Sequence, residues 1–119
     1  MKGVTVTAAC SLLLEGFEAP ESLGQQLRRA DDFISLAVVC SQMVLKNSPA
    51  KNLPADQTGI FIGTAYGPLE TNFSSLASLI DDGEGQISPT LFSHSVYNAA
   101  AGYVARLLDI HGPALTITT

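Results

Sequence analysis

Hydrophobic and polar positions alternate along the chain in a few distinct patterns, and each predicts a different element. Lys2 to Leu14 is rich in Val, Thr and Leu and nearly free of charge, the composition of a strand covered on both faces. Gly16 to Gly24, with Pro20 inside it, reads as a loop. A helix is predicted from Asp31 or Asp32, the aspartate capping free amides and placing negative charge at the positive end of the helix dipole. Phe33, Leu36, Ala37, Cys40, Val44 and Leu45 recur at helical spacing. Ser48-Pro49 ends this helix, because the residue before a proline is pushed out of the α region. Ala50 to Gln57 is a polar linker.

Thr58-Gly-Ile-Phe-Ile-Gly-Thr-Ala65 is a short apolar run bounded by glycine, the pattern of a second buried strand. Gly67-Pro68 opens a helix whose apolar stripe is Leu69, Phe73, Leu76 and Ile80, with Pro68 suited to its first turn. Asp81 to Gly85 is a turn, and Ile87 to Thr90 is extended. A last helix is predicted with Ser95 as its cap, bearing Val96, Ala100, Tyr103, Val104 and Leu107, and Gly112-Pro113 ends it. Ala114 to Thr119 alternates apolar residues with Thr and reads as a third strand. The order β-α-β-α-α-β predicts an α/β fold of three mainly parallel strands with covering helices, since helical crossovers join parallel strands. In open α/β sheets the functional site lies beyond the carboxyl ends of the strands, which here means at and after Thr119. Residues 1–119 therefore read as a single partial domain.

Composition adds a core and an oddity. Apolar residues make up 46% of the chain, enough for a core without metal or disulfide, while charged residues are only 14%. An ordinary soluble domain carries about 25%, so part of this surface is expected to be covered. Six basic residues face eleven acidic ones, and Arg28-Arg29 is the one adjacent basic pair. Nucleic-acid binding, which needs clustered positive charge, is disfavoured. Cys10 and Cys40 both lie in apolar runs and read as small buried thiols of a reducing compartment rather than a disulfide pair. Lys2 is too weak a basic region for a signal sequence, and no run reaches the roughly 18 apolar residues of a membrane span. A cytoplasmic location is expected.

Four stretches together resemble the N-terminal part of a β-ketoacyl synthase, a condensing enzyme of the thiolase-fold superfamily. Arg29 to Ala37 is similar to the opening of an early helix in that family. Gly59 to Gly67 is similar to its glycine-framed second strand. Ser88-Pro-Thr-Leu-Phe92 with Ser95 to Gly102 resembles the segment and helix before the active cysteine, and Gly112 to Thr119 resembles the strand leading to it. The ordered set Ser-Pro…Asn-Ala-x-Ala-Gly…Gly-Pro is the most specific part, and its phrasing is nearest the divergent β-ketoacyl synthase-like N-terminal group. The sequence departs from the family at Ala8 to Leu14, where members carry a glycine-rich stretch.

The resemblance implies part of a thiolase-like α/β/α layer and a chemistry of acyl transfer to cysteine, then decarboxylative condensation on a carrier-bound malonyl unit. It implies no cofactor. The family's nucleophilic cysteine follows the strand matched by Ala114–Thr119, and its two histidines lie far downstream, so no catalytic residue carries over. Phe92, Asn98, Gly102, Leu115 and Ile117 are the candidates for a dimer interface or acyl-channel wall. The implied partners are the remainder of the synthase fold or a synthase subunit, as a homo- or heterodimer, and acyl carrier protein thioesters. A non-catalytic subunit like a chain-length factor is an alternative reading, and a small α/β domain binding an anion at Gly67-Pro68 is another. Cys10, Cys40, His94 and His111 read as structural or surface residues: their spacing does not match a zinc site, and a reactive thiol needs exposure and a positive neighbourhood.

Overall fold

The computed structural model describes residues 3–49, 53–83, 85 and 88–118. Among them, two strands and four α-helices form in the order α1 (Asp32–Asn47), β1 (Ile60–Thr64), α2 (Leu69–Asp82), α3 (Pro89–His94), α4 (Ala99–Leu107) and β2 (Ala114–Thr118), with short 3-10 turns at Glu21–Leu23 and Ala55–Gln57. β1 and β2 pair in parallel, Ile60 opposite Ala114 and Thr64 opposite Thr118. The parallel α/β arrangement expected from the sequence is present. Lys2, the start of the linker, Ile87 and Thr119 lie outside the described residues.

Layering follows from which faces are small. α4 lies between the sheet and α1, touching both strands on one side and α1 on the other. Its Ala100 and Ala101 are buried, and so is Val104. Two alanines allow the α1 backbone to come close, and Ile34, Val38 and Val39 of α1 fill the contact. Leu23 and Leu27, from the irregular stretch before α1, close this core together with Ile60 and Ile110.

Three hydrogen-bonded details fix the frame. The Asp31 carboxylate caps α1, Oδ1 accepting from the Ile34 amide at 2.8 Å, while Oδ2 accepts from the buried Thr71 hydroxyl in the first turn of α2. One side chain therefore joins the starts of two helices. At the other end of the fold, the Gly112 amide donates to Thr58 O at 2.9 Å and the Ile60 amide to Pro113 O at 2.8 Å, which sets the register of the strand pair. A Cβ on Gly112 would run into the Thr58 carbonyl, so only glycine fits this crossing.

Several sequence expectations need correction. Residues 3–14 form no strand; Val4 and Val6 are 85% and 81% exposed. A strand exists only through a paired neighbour, and neither β1 nor β2 borders this arm. The sheet has two strands among the described residues, not three. The buried face of α1 is Ile34, Ser35, Val38 and Val39, and Phe33, Leu36, Ala37, Cys40, Val44 and Leu45 are half-buried. Ten of the sixteen positions of this helix are apolar and they spread around most of its circumference, so its partner α4 chooses the inner face. Ser88-Pro89 starts α3 instead of an extended segment: the Ser88 hydroxyl accepts from the Leu91 amide at 3.3 Å, and proline fits the first helical turn. Ser95 does not cap α4. Its hydroxyl donates back to Phe92 O of α3 at 2.6 Å, and α4 begins after Asn98. Pro68 stands just before α2 as its N-cap, and Asp81 and Asp82 belong to the last turn of α2 rather than to a turn after it.

Removing the Asp31 carboxylate takes the acceptor away from the Ile34 amide and the Thr71 hydroxyl. Asp31→Ala is expected to lower unfolding stability by about 1–3 kcal/mol, read by urea denaturation, with Asp31→Asn losing less because its side-chain oxygen still caps. Gly112→Ala, which forces apart the segments leading into β1 and β2, is expected to cost about 2 kcal/mol or more in the same measurement.

Candidate functional site

The strand pair presents two unlike faces. Alternation along a strand places Ile60, Ile62, Ala114 and Thr116 toward α4. Ile60 is buried there, and the Thr116 hydroxyl is buried without a hydrogen-bond partner. The opposite face carries Phe61, Gly63, Leu115 and Ile117. Phe61 pairs with Leu115 and Gly63 with Ile117, and Phe61, Leu115 and Ile117 are 70%, 49% and 55% exposed. Parallel sheets are normally covered on both faces; here one face is bare among the described residues.

α2 has the same character. Leu69, Phe73, Leu76 and Ile80 form the stripe read from the sequence, but all four are exposed, and Thr71 is the buried residue of this helix. Phe92 on α3 and Val96 and Tyr97 in the turn after it add further exposed apolar surface. The predicted site residues thus fall in different places. Leu115 and Ile117 share the bare sheet face, and Phe92 projects from α3. Asn98 is exposed at the start of α4 and Gly102 is exposed on that helix, with nothing near the position of a side chain. The alanines beside them serve the contact with α1.

A cleft of about 510 Å³ opens where the starts of α1 and α2 meet, lined by Leu14, Phe33, Leu36, Leu69 and Leu91 with Asp31, Asp32 and Glu70 at its polar side. Gly67 leads into α2 in the left-handed region (φ 59°), and a side chain there would strike the Tyr97 ring. Its amide donates to Thr64 Oγ1 at 3.0 Å, and the Leu69 amide to Gly67 O at 2.9 Å. With those amides engaged and three carboxylates at the same cleft, the Gly67-Pro68 turn is poorly suited to hold an anion.

No nucleophile–base pair forms among the described residues. His94 is buried at the end of α3, its Nε2 3.0 Å from the Tyr103 hydroxyl and its ring edge-on to that tyrosine, while Arg106 lies over the face of the Tyr103 ring at 4.8 Å. His111 is exposed and pairs with Asp109 at 2.6 Å. Cys10 and Cys40 are free thiols, half-buried rather than buried, and adjacent, with Sγ atoms 3.0 Å apart. The hydrogen bond with Cys10, and then burial, push the Cys40 thiol up to about 11. A thiol so raised is a poor nucleophile at neutral pH. The groups that could hold a metal are too scattered to form a cluster among the described residues.

A family model described as "Beta-ketoacyl synthase, N-terminal domain" matches residues 13–119. The chain belongs to the β-ketoacyl synthase family. Relatives within it include 3-oxoacyl-[acyl-carrier-protein] synthase 2 of Synechocystis, 30% identical over 84% of this chain, and the chloroplastic 3-oxoacyl-[acyl-carrier-protein] synthase I of Arabidopsis thaliana, 27% identical over 81%. This chain spans 25% and 21% of those two proteins. The solved structure of the ishigamide ketosynthase/chain length factor has the same fold, with a TM-score of 0.72 and 24% identity over 87% of this chain and 30% of the other. The α/β fold expected from the sequence is the one this likeness shows. No helix among the described residues is long and apolar enough to cross a membrane.

Because its proton is held, Cys40 is expected to alkylate slowly at pH 8–9 and to accelerate only as pH rises toward about 11. Cys10→Ser removes the sulfur partner and is expected to shift the Cys40 rate profile to lower pH, as followed by iodoacetamide labelling and peptide mass.

Proposed function

We propose that this chain is the N-terminal scaffold segment of a β-ketoacyl-[acyl-carrier-protein] synthase-like protein of the cytoplasm. The whole polypeptide would transfer an acyl group from a carrier thioester to a cysteine and condense it with a carrier-bound malonyl unit, with loss of carbon dioxide. The observation that carries this reading is the family match running from residue 13 to residue 119. In this reading the nucleophile and the two histidines are not among the residues present, and no described residue replaces them: Cys40 is held protonated, and His94 is engaged with Tyr103.

The contribution of this segment is then shape. Leu115 and Ile117, with Phe61 beside them, would be covered by the rest of the synthase fold or by a second subunit, and Phe92, Asn98 and Gly102 would face the subunit contact or the acyl channel. The support is physical. A Leu, Ile or Phe gains about 1.5–3 kcal/mol when its side chain leaves water, and these exposed side chains sit together on one sheet face. A second reading, a non-catalytic subunit similar to a chain-length factor, is favoured by the likeness to the ishigamide ketosynthase/chain length factor.

Mass spectrometry of the full-length polypeptide after exposure to an acyl-carrier thioester separates these readings. The synthase reading expects an acyl adduct on a cysteine outside residues 1–119, and an adduct on Cys10 or Cys40 would overturn it. No adduct, together with stable association with a complete synthase, would instead establish the accessory subunit. Leu115→Asp with Ile117→Asp is expected to weaken assembly and to lower condensation at least about tenfold, equivalent to roughly 1.4 kcal/mol. Unchanged assembly and turnover would remove these two residues from the interface or channel wall.

A further inference from the structure

Cys10 and Cys40 have no part in the function proposed above, yet the fold brings them together across 30 positions of sequence. Their sulfurs are 3.0 Å apart, and the Cys10 thiol also approaches the Cys40 carbonyl oxygen at 3.4 Å. Cys10 belongs to the arm 3–14, which is in no strand or helix; Cys40 stands in the middle of α1. Both are half-buried, so a small reagent can reach them. The separate, inert thiols expected from the sequence are thus a contacting dithiol, one of whose partners sits on irregular backbone. The arm's nearby side-chain tie, Thr7 to Ser48, is a long hydroxyl pair at 3.4 Å.

We propose that Cys10 and Cys40 are an oxidation site that closes into a disulfide and fastens the N-terminal arm to α1. The sulfurs must approach by about 1 Å to reach bonding distance, and the irregular arm can supply that shift without disturbing α1. The oxidant is a small disulfide such as oxidised glutathione. Cys10, as thiolate, attacks one sulfur of that disulfide; the S–S bond breaks and one glutathione leaves and takes up a proton. Cys40 then loses its proton and attacks the Cys10 sulfur of the mixed disulfide, releasing the second glutathione. Two cysteine thiols are oxidised and one glutathione disulfide is reduced to two thiols. The order follows from Cys40, whose proton is held by its contact with Cys10 and by burial, and which loses the restraint from Cys10 once that sulfur is in the mixed disulfide. In a reducing compartment such a bond is transient and responds to redox conditions.

The test uses the folded full-length polypeptide, incubated with oxidised glutathione, alkylated at remaining thiols and digested with trypsin without reductant. Cleavage after Lys2, Arg28, Arg29 and Lys46 isolates Cys10 in peptide 3–28 and Cys40 in peptide 30–46. The expected result is one cross-linked species of these two peptides that dithiothreitol separates, with amide exchange over residues 3–14 slowed several-fold in the oxidised protein. Cys40→Ser is expected to abolish both effects. Recovery of the two peptides separately, each alkylated or each carrying glutathione, or either one linked to a different cysteine, would overturn the site. A cross-link that leaves exchange of the arm unchanged would overturn its role as a fastener.

Discussion

The close contact between α1 and α4 is the constraint on which the described fold rests. Ala100 and Ala101 are almost completely buried, and their small size lets Ile34 and Val38 sit against the α4 backbone. Through that contact α4 is held flat against the strand pair, since its other side meets β1 and β2. A larger side chain at either alanine would separate α1 from α4, and overpacking of this kind typically costs about 1–3 kcal/mol. The Asp31 carboxylate then fixes the angle at which α2 departs, because one group accepts from the first turns of both helices. Gly112 does the corresponding task for the strands, where its amide and the absence of a side chain let the segments leading into β1 and β2 cross.

Outside this frame, much of the surface is apolar and uncovered. The radius of gyration is 15.9 Å, against about 13.5 Å for a compact domain of this length. Whole-domain stability is typically only about 5–15 kcal/mol, so covering a handful of side chains such as Phe61, Phe73, Ile80, Leu115 and Ile117 matters on the scale of the entire fold. This is the physical content of the low charge fraction seen in the sequence. With charged residues at 14%, there are few charged groups to place on the bare sheet face.

How much of this is legible in the sequence depends on whether the information is local. Asp31 ahead of an apolar run, Ser48-Pro49 after it, and Gly67-Pro68 before the next helix are signals written within a few residues, and the structure places element ends there. The two glycine- or threonine-framed strands are legible for the same reason. The inner face of α1 is not, because a helix apolar nearly all round has its inner side chosen by α4. The arm 3–14 has strand composition but lacks a paired neighbour, which only tertiary structure can supply. Ser95 resembles a cap because serine commonly is one, but its hydroxyl is engaged with Phe92 O. Ser88-Pro89 is a local start signal, masked by the shortness of the helix it opens, only six residues. The contact of Cys10 with Cys40 has no sequence signal at all.

Buried polar groups and exposed apolar groups point in one direction when taken together. The Thr116 hydroxyl faces α4 without a partner, a cost that a sheet accepts when the alternating pattern of the strand is set by its other face. On β2 that other face is Leu115 and Ile117. A one-residue slip would give the two apolar side chains to α4 and turn the threonines outward, which would suit an isolated two-layer unit better. The observed register does the reverse. It is held by the Gly112 and Pro113 hydrogen bonds to Thr58 and Ile60, so the chain's own backbone enforces an arrangement in which the larger apolar side chains of β2, Leu115 and Ile117, are presented outward. Covering the outward face would favour such a register, and the family to which this chain belongs includes proteins about three and a half times this length.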